Sequence, residues 1–327
     1  MASDEKAEPW RLAVTRKLPD ALTRRLSVDG RAWLNADDRP LGSEGIVAIA
    51  RSFEADVLLV TATDRLDGAT IAALPQRVRA LATLSVGHDH IDLAAARDRG
   101  IAVLSTPDIL CDAVAEMAML LLLGAARRAH EGSMLLYGGE WRGWSPTQLL
   151  GRDVTGGRIG IFGMGRIGRS IARRAQRGFD MDIHYHNRSR LDVEDGATFH
   201  PTARSLLEIS DFLVLAAPST PETRGFLNAG ALARLPAGAV VVNVARGDLV
   251  EDAALIEALG SGRVAAAGLD VFNGEPSIHP GYLALPNVFL QPHQGSSTLG
   301  TRVRMGELLL DGIGTLMAGG AAPNRLV

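Results

Sequence analysis

Three polar residues follow short apolar segments that read as strands, and their types suit the binding of a carboxylate and the transfer of a proton: Arg246, Glu275 and His293. An arginine can hold a carboxylate through two hydrogen bonds, and a histidine can transfer a proton near neutral pH. A glutamate beside that histidine would favour its imidazolium form. Taken singly, each is more often a surface residue, but open α/β sheets bind ligands outside the carboxyl ends of their strands. Together, the three therefore indicate a catalytic site.

A glycine-rich turn between a short strand and a helix indicates where a nucleotide would bind. Gly163, Gly165 and Gly168 follow the apolar strand Ile159–Phe162 with the spacing Gly-x-Gly-x-x-Gly. The first glycine permits a tight turn, the second lets the backbone approach a pyrophosphate, and the third lets the helix lie close to the strand. The pattern alone could be an ordinary turn, but phosphates fit the N–H groups and positive end of a helix that begins there.

The segment after the next strand predicts which dinucleotide is bound. Asn187 follows Gly168 at close to the roughly 20-residue spacing of the ribose-reading residue. An acidic residue there suits the ribose 2′-hydroxyl of NAD, whereas this chain has Asn187, Arg188, Ser189 and Arg190. Two guanidinium groups, an amide and a hydroxyl would bind a 2′-phosphate. We therefore predict NADP(H), with a solvated basic loop as the alternative.

Alternating strand and helix patterns along the chain predict parallel sheets with both faces covered. The predicted strands are 12–15, 57–60, 80–84, 101–104, 159–162, 181–185, 212–216, 240–244, 265–269 and 288–290. One predicted helix begins at Pro19, and another lies around 46–49. The other predicted helices span 108–128, 166–177, 203–209, 229–235, 252–259 and 298–317. Residues 131–155, which include Trp141 and Trp144, read as irregular. Two domains are predicted to meet in this region.

The composition is that of an ordinary soluble protein. A length of 327 residues suits about two domains, and a formal net charge of −3 gives no sign of nucleic acid or an anionic membrane as partner. The single cysteine, Cys111, excludes an intramolecular disulfide. The polar, acidic N-terminus shows no signal peptide, and the apolar run 117–126 is too short to span a membrane. We expect a cytoplasmic protein.

Two histidine pairs have a spacing that could bind a metal on one strand face, His88 with His90 and His184 with His186. Neither pair has an evident third ligand. No metal site is therefore predicted.

At these motifs the sequence resembles the D-isomer-specific 2-hydroxyacid dehydrogenases, in particular their glyoxylate/hydroxypyruvate reductase branch. The resemblance covers nearly the whole chain and is carried, in order, by the segments 14–19, 63–67, 85–92, 106–110, 163–168, 243–249, 268–276 and 292–296. It implies an α/β protein with two Rossmann-like, doubly wound domains. A larger NADP-binding domain, residues 105–291, would be inserted into a smaller flavodoxin-like substrate domain made of residues 1–104 and 292–327. Active sites in such enzymes lie in the cleft between the domains.

The resemblance also implies a role for each matching residue. Arg246 would grip the 2-oxoacid, His293 would donate the proton, Glu275 would pair with His293, and the Val86–Gly87 backbone would hold the substrate carboxylate. Asp270 would lie near the nicotinamide carboxamide. The implied cofactor-binding residues are Gly163, Gly165, Arg166, Ile167, Gly168, Asn187, Arg188, Ser189, Arg190, Ala217, Pro218, Val244, Ala245, Asp270 and Gly295.

Two positions depart from the family pattern. Gln294 stands where many relatives have an aliphatic residue, and Val114 stands where several have threonine. Neither change removes a catalytic group, but Gln294 adds an amide donor and acceptor that bears on substrate preference. The sequence does not rank glyoxylate, hydroxypyruvate, pyruvate and 2-ketogluconate, and it does not give the pathway.

The predicted function is NADPH-dependent reduction of small 2-oxoacids to D-2-hydroxyacids. One alternative is a dinucleotide-sensing protein like the corepressor relatives of this family, and another is a dehydrogenase of the same family acting on phosphoglycerate or 2-ketogluconate. The absence of long disordered tails and the basic ribose loop favour the enzyme.

A homodimer is predicted from the mostly apolar helix after Asp108 and from Trp141 and Trp144, in agreement with the family pattern. The segment 131–155 would pack across the partner. The alternative is that both tryptophans fill a local core.

Overall fold

The computed structural model describes residues 10–27, 32–192 and 196–327, and it divides into two compact units. The small unit comprises Met1–Leu110 and Ser297–Val327, and the large unit comprises Cys111–Ser296. The chain thus begins in the small unit, forms the whole large unit, and returns to the small unit. This arrangement and the parallel sheet in each unit confirm the predicted fold class.

The small unit has a five-stranded parallel sheet with the strand order β2-β1-β3-β4-β5. Its strands are β1 Leu12–Val14, β2 Ala32–Leu34, β3 Val57–Val60, β4 Ala80–Thr83 and β5 Ala102–Leu104. Its helices are α1 Asp20–Ser27, α2 Gly42–Ser52, α3 Gly68–Ala73, α4 Leu93–Asp98 and, after the large unit, α12 Leu299–Met317. The order is that of the flavodoxin-like doubly wound fold.

The large unit has a seven-stranded parallel sheet with the strand order β12-β11-β10-β9-β6-β7-β8. Its strands are β6 Arg158–Phe162, β7 Asp182–His186, β8 Thr198–Phe199, β9 Phe212–Leu215, β10 Ala239–Asn243, β11 Val264–Leu269 and β12 Val288–Leu290. Its helices are α5 Cys111–Ala126, α6 Ala129–Tyr137, α7 Arg166–Phe179, α8 Ala203–Leu207, α9 Ala229–Leu232, α10 Asp252–Gly260 and α11 Pro280–Leu283. The order reverses between β6 and β9, where doubly wound sheets bind their ligands.

Apolar strands form the centre of this sheet. β9 and β10 are buried along their whole length, as expected for parallel strands covered by helices on both faces. The core between β9, β10, β11 and the helices α8 to α10 includes Leu213, Val241 and Leu255. A rigid base therefore lies under the loops that follow these strands.

The structure corrects the expectation of an irregular segment after Glu131. Helix α6 spans Ala129–Tyr137, and the segment becomes irregular only after it. Several short elements were also not predicted, among them β2, α3, α4, β8 and α11. Elements of two to six residues carry too few apolar repeats for a periodic pattern to emerge. Among the described residues, no helix is both long and apolar enough to cross a membrane.

Candidate active site

The glycine-rich turn after β6 has the shape that its spacing predicts. Gly163 has φ +102°, and a Cβ atom there would lie 2.5 Å from the backbone nitrogen of Ala217. A Cβ atom on Gly168 would collide with the carbonyl oxygen of Gly163, so the start of α7 lies directly against the turn. By contrast, a Cβ atom on Gly165 would meet nothing within 4 Å. The open side of the turn is therefore at Gly165, the N-cap of α7, which has no side chain to cap the first N–H groups.

Asn187, the predicted ribose-reading residue, contacts this turn directly. Its Oδ1 accepts a 2.7 Å hydrogen bond from the backbone N–H of Met164. The side-chain carbonyl thus ties the end of β7 to the turn between Gly163 and Gly165. Its amide nitrogen is then the group that can donate towards a ligand.

The basic residues after Asn187 are exposed to solvent. Arg188, Ser189 and Arg190 all lie on the surface of the large unit. Glu222 lies within electrostatic reach of Arg188: the pKa of its carboxyl is lowered mainly by a hydrogen bond from Thr220, and the charge of Arg188 adds to the effect. The two guanidinium groups are accessible to an anion, and salt screens exposed charges of this kind.

Arg246 follows β10 in a loop held by the last residue of that strand. Asn243 is 1% exposed; its Nδ2 donates to the carbonyl oxygen of Arg246 at 2.8 Å, and its Oδ1 accepts from the N–H of Ala245 at 3.0 Å. A Cβ atom on Gly247 would collide with the backbone of Phe272, so the loops after β10 and β11 are in direct contact. Asn243 has no role among the sequence-based predictions, although a polar residue that ends an otherwise apolar strand marks it as a candidate.

His293 and Glu275 form a hydrogen-bonded pair. The His293 Nδ1 and the Glu275 Oε2 are 2.7 Å apart, and the Glu275 Oε1 accepts from the N–H of Phe272 at 2.8 Å. Burial opposes ionisation of Glu275, but the bonds from His293 and Phe272 and the charges of His293 and Arg246 outweigh it and lower the pKa of its carboxyl. With Nδ1 bound to a carboxylate, Nε2 is the nitrogen that can exchange a proton with a ligand.

Asp270 holds the turn that carries His293. Its side chain is buried, and its two carboxylate oxygens accept from the N–H groups of Gln294 at 2.6 Å and of Gly295 at 2.7 Å. Its carbonyl oxygen accepts from the N–H of His293 at 2.8 Å. Burial raises the pKa of the Asp270 carboxyl despite these bonds. His293 has φ +52°, an unfavourable conformation for a residue with a side chain, and these bonds stabilise it.

The large unit therefore brings Arg246, Glu275 and His293 to neighbouring loops, because β10, β11 and β12 are adjacent in its sheet. Of the remaining predicted cofactor residues, Arg166 and Ile167 begin α7, and four others follow β9 and β10: Ala217, Pro218, Val244 and Ala245. Val114 on α5 lies beside Gly295, because a Cβ atom added to Gly295 would be 3.3 Å from the Val114 side chain.

Val86 and Gly87 lie in the small unit, in the loop after β4. Val86 is 37% exposed, and the carbonyl oxygen of Gly87 accepts a 2.6 Å hydrogen bond from the Ser85 hydroxyl.

The histidine pairs have other partners. His184 bonds Asp182 through Nε2 at 2.9 Å and lies 3.0 Å from His200 through Nδ1. The Nε2 of His90 is 2.9 Å from the Thr83 hydroxyl. In the described parts of the chain, no three histidine, cysteine or acidic side chains are grouped so that they could hold a metal ion.

Comparison with known proteins gives consistent matches. Residues 119–295 match the family model "D-isomer specific 2-hydroxyacid dehydrogenase, NAD binding domain". The chain is 43% identical over 313 residues to the glycerate dehydrogenase of Hyphomicrobium methylovorum, covering 94% of this chain and 96% of that protein. It is 40% identical over 306 residues to the glyoxylate reductase of Thermococcus onnurineus, covering 91% and 90%.

A similar solved structure is the NADPH-dependent glyoxylate/hydroxypyruvate reductase of Sinorhizobium meliloti in complex with NADP and malonate. It superposes with a TM-score of 0.86 at 33% sequence identity, covering 97% of each chain.

Proposed function

Because the chain belongs to the D-isomer-specific 2-hydroxyacid dehydrogenase family, we propose that it reduces glyoxylate to glycolate and hydroxypyruvate to D-glycerate with NADPH. Residues 105–291 would form the coenzyme domain, and residues 1–104 and 292–327 the substrate domain. The carrying observation is the 2.7 Å pairing of His293 with Glu275, with the charge of Arg246 close enough to lower the pKa of the Glu275 carboxyl.

In the proposed reaction, each of the three side chains has one task. Arg246 binds the 2-oxoacid and orients its carbonyl group. NADPH, when bound, supplies the hydride that adds to the carbonyl carbon. His293 donates the proton on Nε2 to the carbonyl oxygen, where negative charge develops, so that hydride and proton together give the 2-hydroxyacid. Glu275 holds Nδ1 and so fixes the orientation of the imidazole ring, which leaves Nε2 for the substrate.

The coenzyme half of the proposal is supported by the turn after β6 and the loop after β7. The open side of Gly165 at the start of α7 leaves room for a pyrophosphate beside backbone N–H groups. Exposed Arg188 and Arg190 suit a 2′-phosphate, and the side chain of Asn187 carries no charge that would repel it. The S. meliloti relative, whose structure contains NADP, is named as NADPH-dependent, in agreement with this choice.

The substrate half is supported by what the relatives are named for. Oxidation of glycerate at its 2-hydroxyl gives hydroxypyruvate, so a glycerate dehydrogenase and a hydroxypyruvate reductase act on the same pair of compounds. Glyoxylate is the smallest 2-oxoacid and needs no side-chain pocket. Gln294, whose side chain is exposed next to His293, can offer an amide to the hydroxyl of hydroxypyruvate.

The direct test follows the absorbance of reduced nicotinamide after glyoxylate is added to enzyme and NADPH. We expect the absorbance to fall. We also expect hydroxypyruvate to be accepted and the glycerate formed from it to have the D configuration. Glyoxylate without enzyme is the control. A chain that binds NADPH but consumes none with any small 2-oxoacid would be a binding protein instead.

We also propose a homodimer, supported by one of the two surfaces from which it was predicted, the segment 131–155. Most apolar side chains of α5 are buried against α7 and the sheet, so this helix offers little free surface. By contrast, Tyr137 is 91% exposed and Trp144 is 82% exposed, which does not fit the alternative of a local core. Further exposed apolar residues lie in the same segment: Met134, Leu136, Trp141 and Leu150. A second copy covering this segment would remove the apolar surface from water.

Light scattering tests the dimer. We expect twice the chain mass at micromolar concentration, and we expect Trp144→Glu combined with Tyr137→Glu to shift the mass towards that of one chain. A wild-type chain that stays monomeric at this concentration would contradict the proposal.

A further inference from the structure

We propose that Thr83, Ser85 and His90 form a hydrogen-bond relay that positions the Val86–Gly87 backbone to bind the substrate carboxylate. This inference rests on the proposed function, in which that backbone holds a 2-oxoacid. It assigns a positioning role to three side chains of the small unit.

The relay can run in only one direction. The Thr83 hydroxyl oxygen is 2.7 Å from the Ser85 hydroxyl and 2.9 Å from the His90 Nε2. Ser85 gives its only proton to the carbonyl oxygen of Gly87, 2.6 Å away, so it must accept from Thr83. Thr83 has then used its own proton and must accept from the Nε2–H of His90. The bonds therefore keep a proton on the Nε2 of His90.

The residues at the two ends of the relay segment, Thr83 and His90, are both held in place by the small unit. Thr83 is fully buried and ends β4, where it pairs with Val60 of β3. The carbonyl oxygen of His90 accepts from the N–H of Leu66 at 2.8 Å, and Leu66 is fully buried. The relay thus connects the loop that carries Val86 and Gly87 to Thr83 and His90, whose positions are fixed.

The loop itself has little apolar packing. Val86 is 37% exposed, and Gly87 has no side chain. Hydrogen bonds rather than burial must therefore define the conformation of this loop. The bond from Ser85 also satisfies the Gly87 carbonyl oxygen inside the loop. A substrate carboxylate would then meet N–H groups of the loop rather than this oxygen, which would repel it.

The test compares Thr83→Val, which removes the hydroxyl with little change of shape, with Thr83→Ser, which retains it. We expect Thr83→Val to raise the KM for glyoxylate about tenfold, because it leaves two relay partners unpaired. Its kcat should change by less than about threefold, since the reacting groups are untouched. The KM for NADPH should not change, and Thr83→Ser should behave like the wild type.

A matched control is Thr70→Val in the same unit. Thr70 is 7% exposed, and its hydroxyl bonds Asp67 at 2.8 Å, outside the relay. We expect this variant to lower Tm without changing the KM for glyoxylate. Ser85→Ala, at a less buried position, repeats the main test if Thr83→Val does not fold, and it should raise the same KM.

Three outcomes would overturn the relay. The first is a Thr83→Val or Ser85→Ala enzyme with a lowered Tm and an unchanged KM for glyoxylate, which would make the hydroxyls purely structural. The second is a Thr83→Ser enzyme as impaired as Thr83→Val. The third is a wild-type chain that does not reduce glyoxylate, which overturns the proposed function as well; the first two leave that function intact.

Discussion

His293→Ala should lower the turnover of glyoxylate by about 10²-fold or more and leave the affinity for NADPH nearly unchanged. Hydride addition to a carbonyl carbon places negative charge on its oxygen, and without His293 only water could supply the proton. β12, which precedes His293, is four strand positions from β6, which precedes the glycine-rich turn. At the usual strand spacing this is about 19 Å, too far for the substitution to disturb the proposed phosphate site. Steady-state turnover and NADPH titration by fluorescence measure the two effects.

Glu275→Gln is the matched variant, because it keeps the shape of the pair and removes only the charge. Since the pKa of the Glu275 carboxyl is lowered, the carboxylate stays ionised through the neutral range and keeps its charge in the bond to the His293 Nδ1. Glutamine in its place makes a weaker, uncharged bond and so orients the imidazole ring less firmly. We expect a smaller loss of turnover than in His293→Ala, measured by the same steady-state assay. Wild-type turnover in His293→Ala would remove the assignment of this residue as proton donor.

Arg188→Ala should raise the KM for NADPH strongly and leave the KM for NADH almost unchanged. The wild type should prefer NADPH on the order of 10²-fold, because two charge-assisted bonds of about 1.5 kcal/mol each amount to about 3 kcal/mol. Each bond is at the lower end of the range for charge-assisted bonds because Arg188 and Arg190 are exposed. The same exposure predicts that higher salt reduces the preference. Steady-state kinetics with both coenzymes, at low and high salt, measure all three effects.

The control for this experiment is Arg177→Ala. Arg177 is an exposed arginine of the same unit, in the last turn of α7 and about 16 Å along the helix from Arg166. The substitution removes the same charge at a position far from residues 187–190. The KM for NADPH and the KM for NADH should therefore both stay unchanged. Equal efficiency of the wild type with NADH and NADPH would show instead that residues 187–190 are only a solvated basic turn.

The sequence alone was sufficient for the features that depend on local pattern. The glycine spacing predicted a turn that is open at Gly165 and closed at Gly163 and Gly168. This is a local property, because a side chain at Gly163 or Gly168 would collide with nearby backbone atoms. Apolar runs predicted the buried central strands, and therefore the edge at which Arg246, Glu275 and His293 emerge, because parallel strands are apolar on both faces. The roles of these three residues remain predictions, but their meeting on adjacent loops is a property of the fold.

Only the tertiary structure decided the contacts between residues that are distant in the chain. The bond from Met164 to Asn187 joins two loops, and the contact of Gly247 with the backbone of Phe272 joins two others. His90 had a spacing to His88 that suggested a metal pair, whereas its Nε2 bonds the Thr83 hydroxyl. The structure also decided between the two roles open to Trp144, because its side chain is 82% exposed and does not fill a local core. A side chain's type limits the bonds that it can form, but which partner lies within 3 Å depends on how separate elements pack.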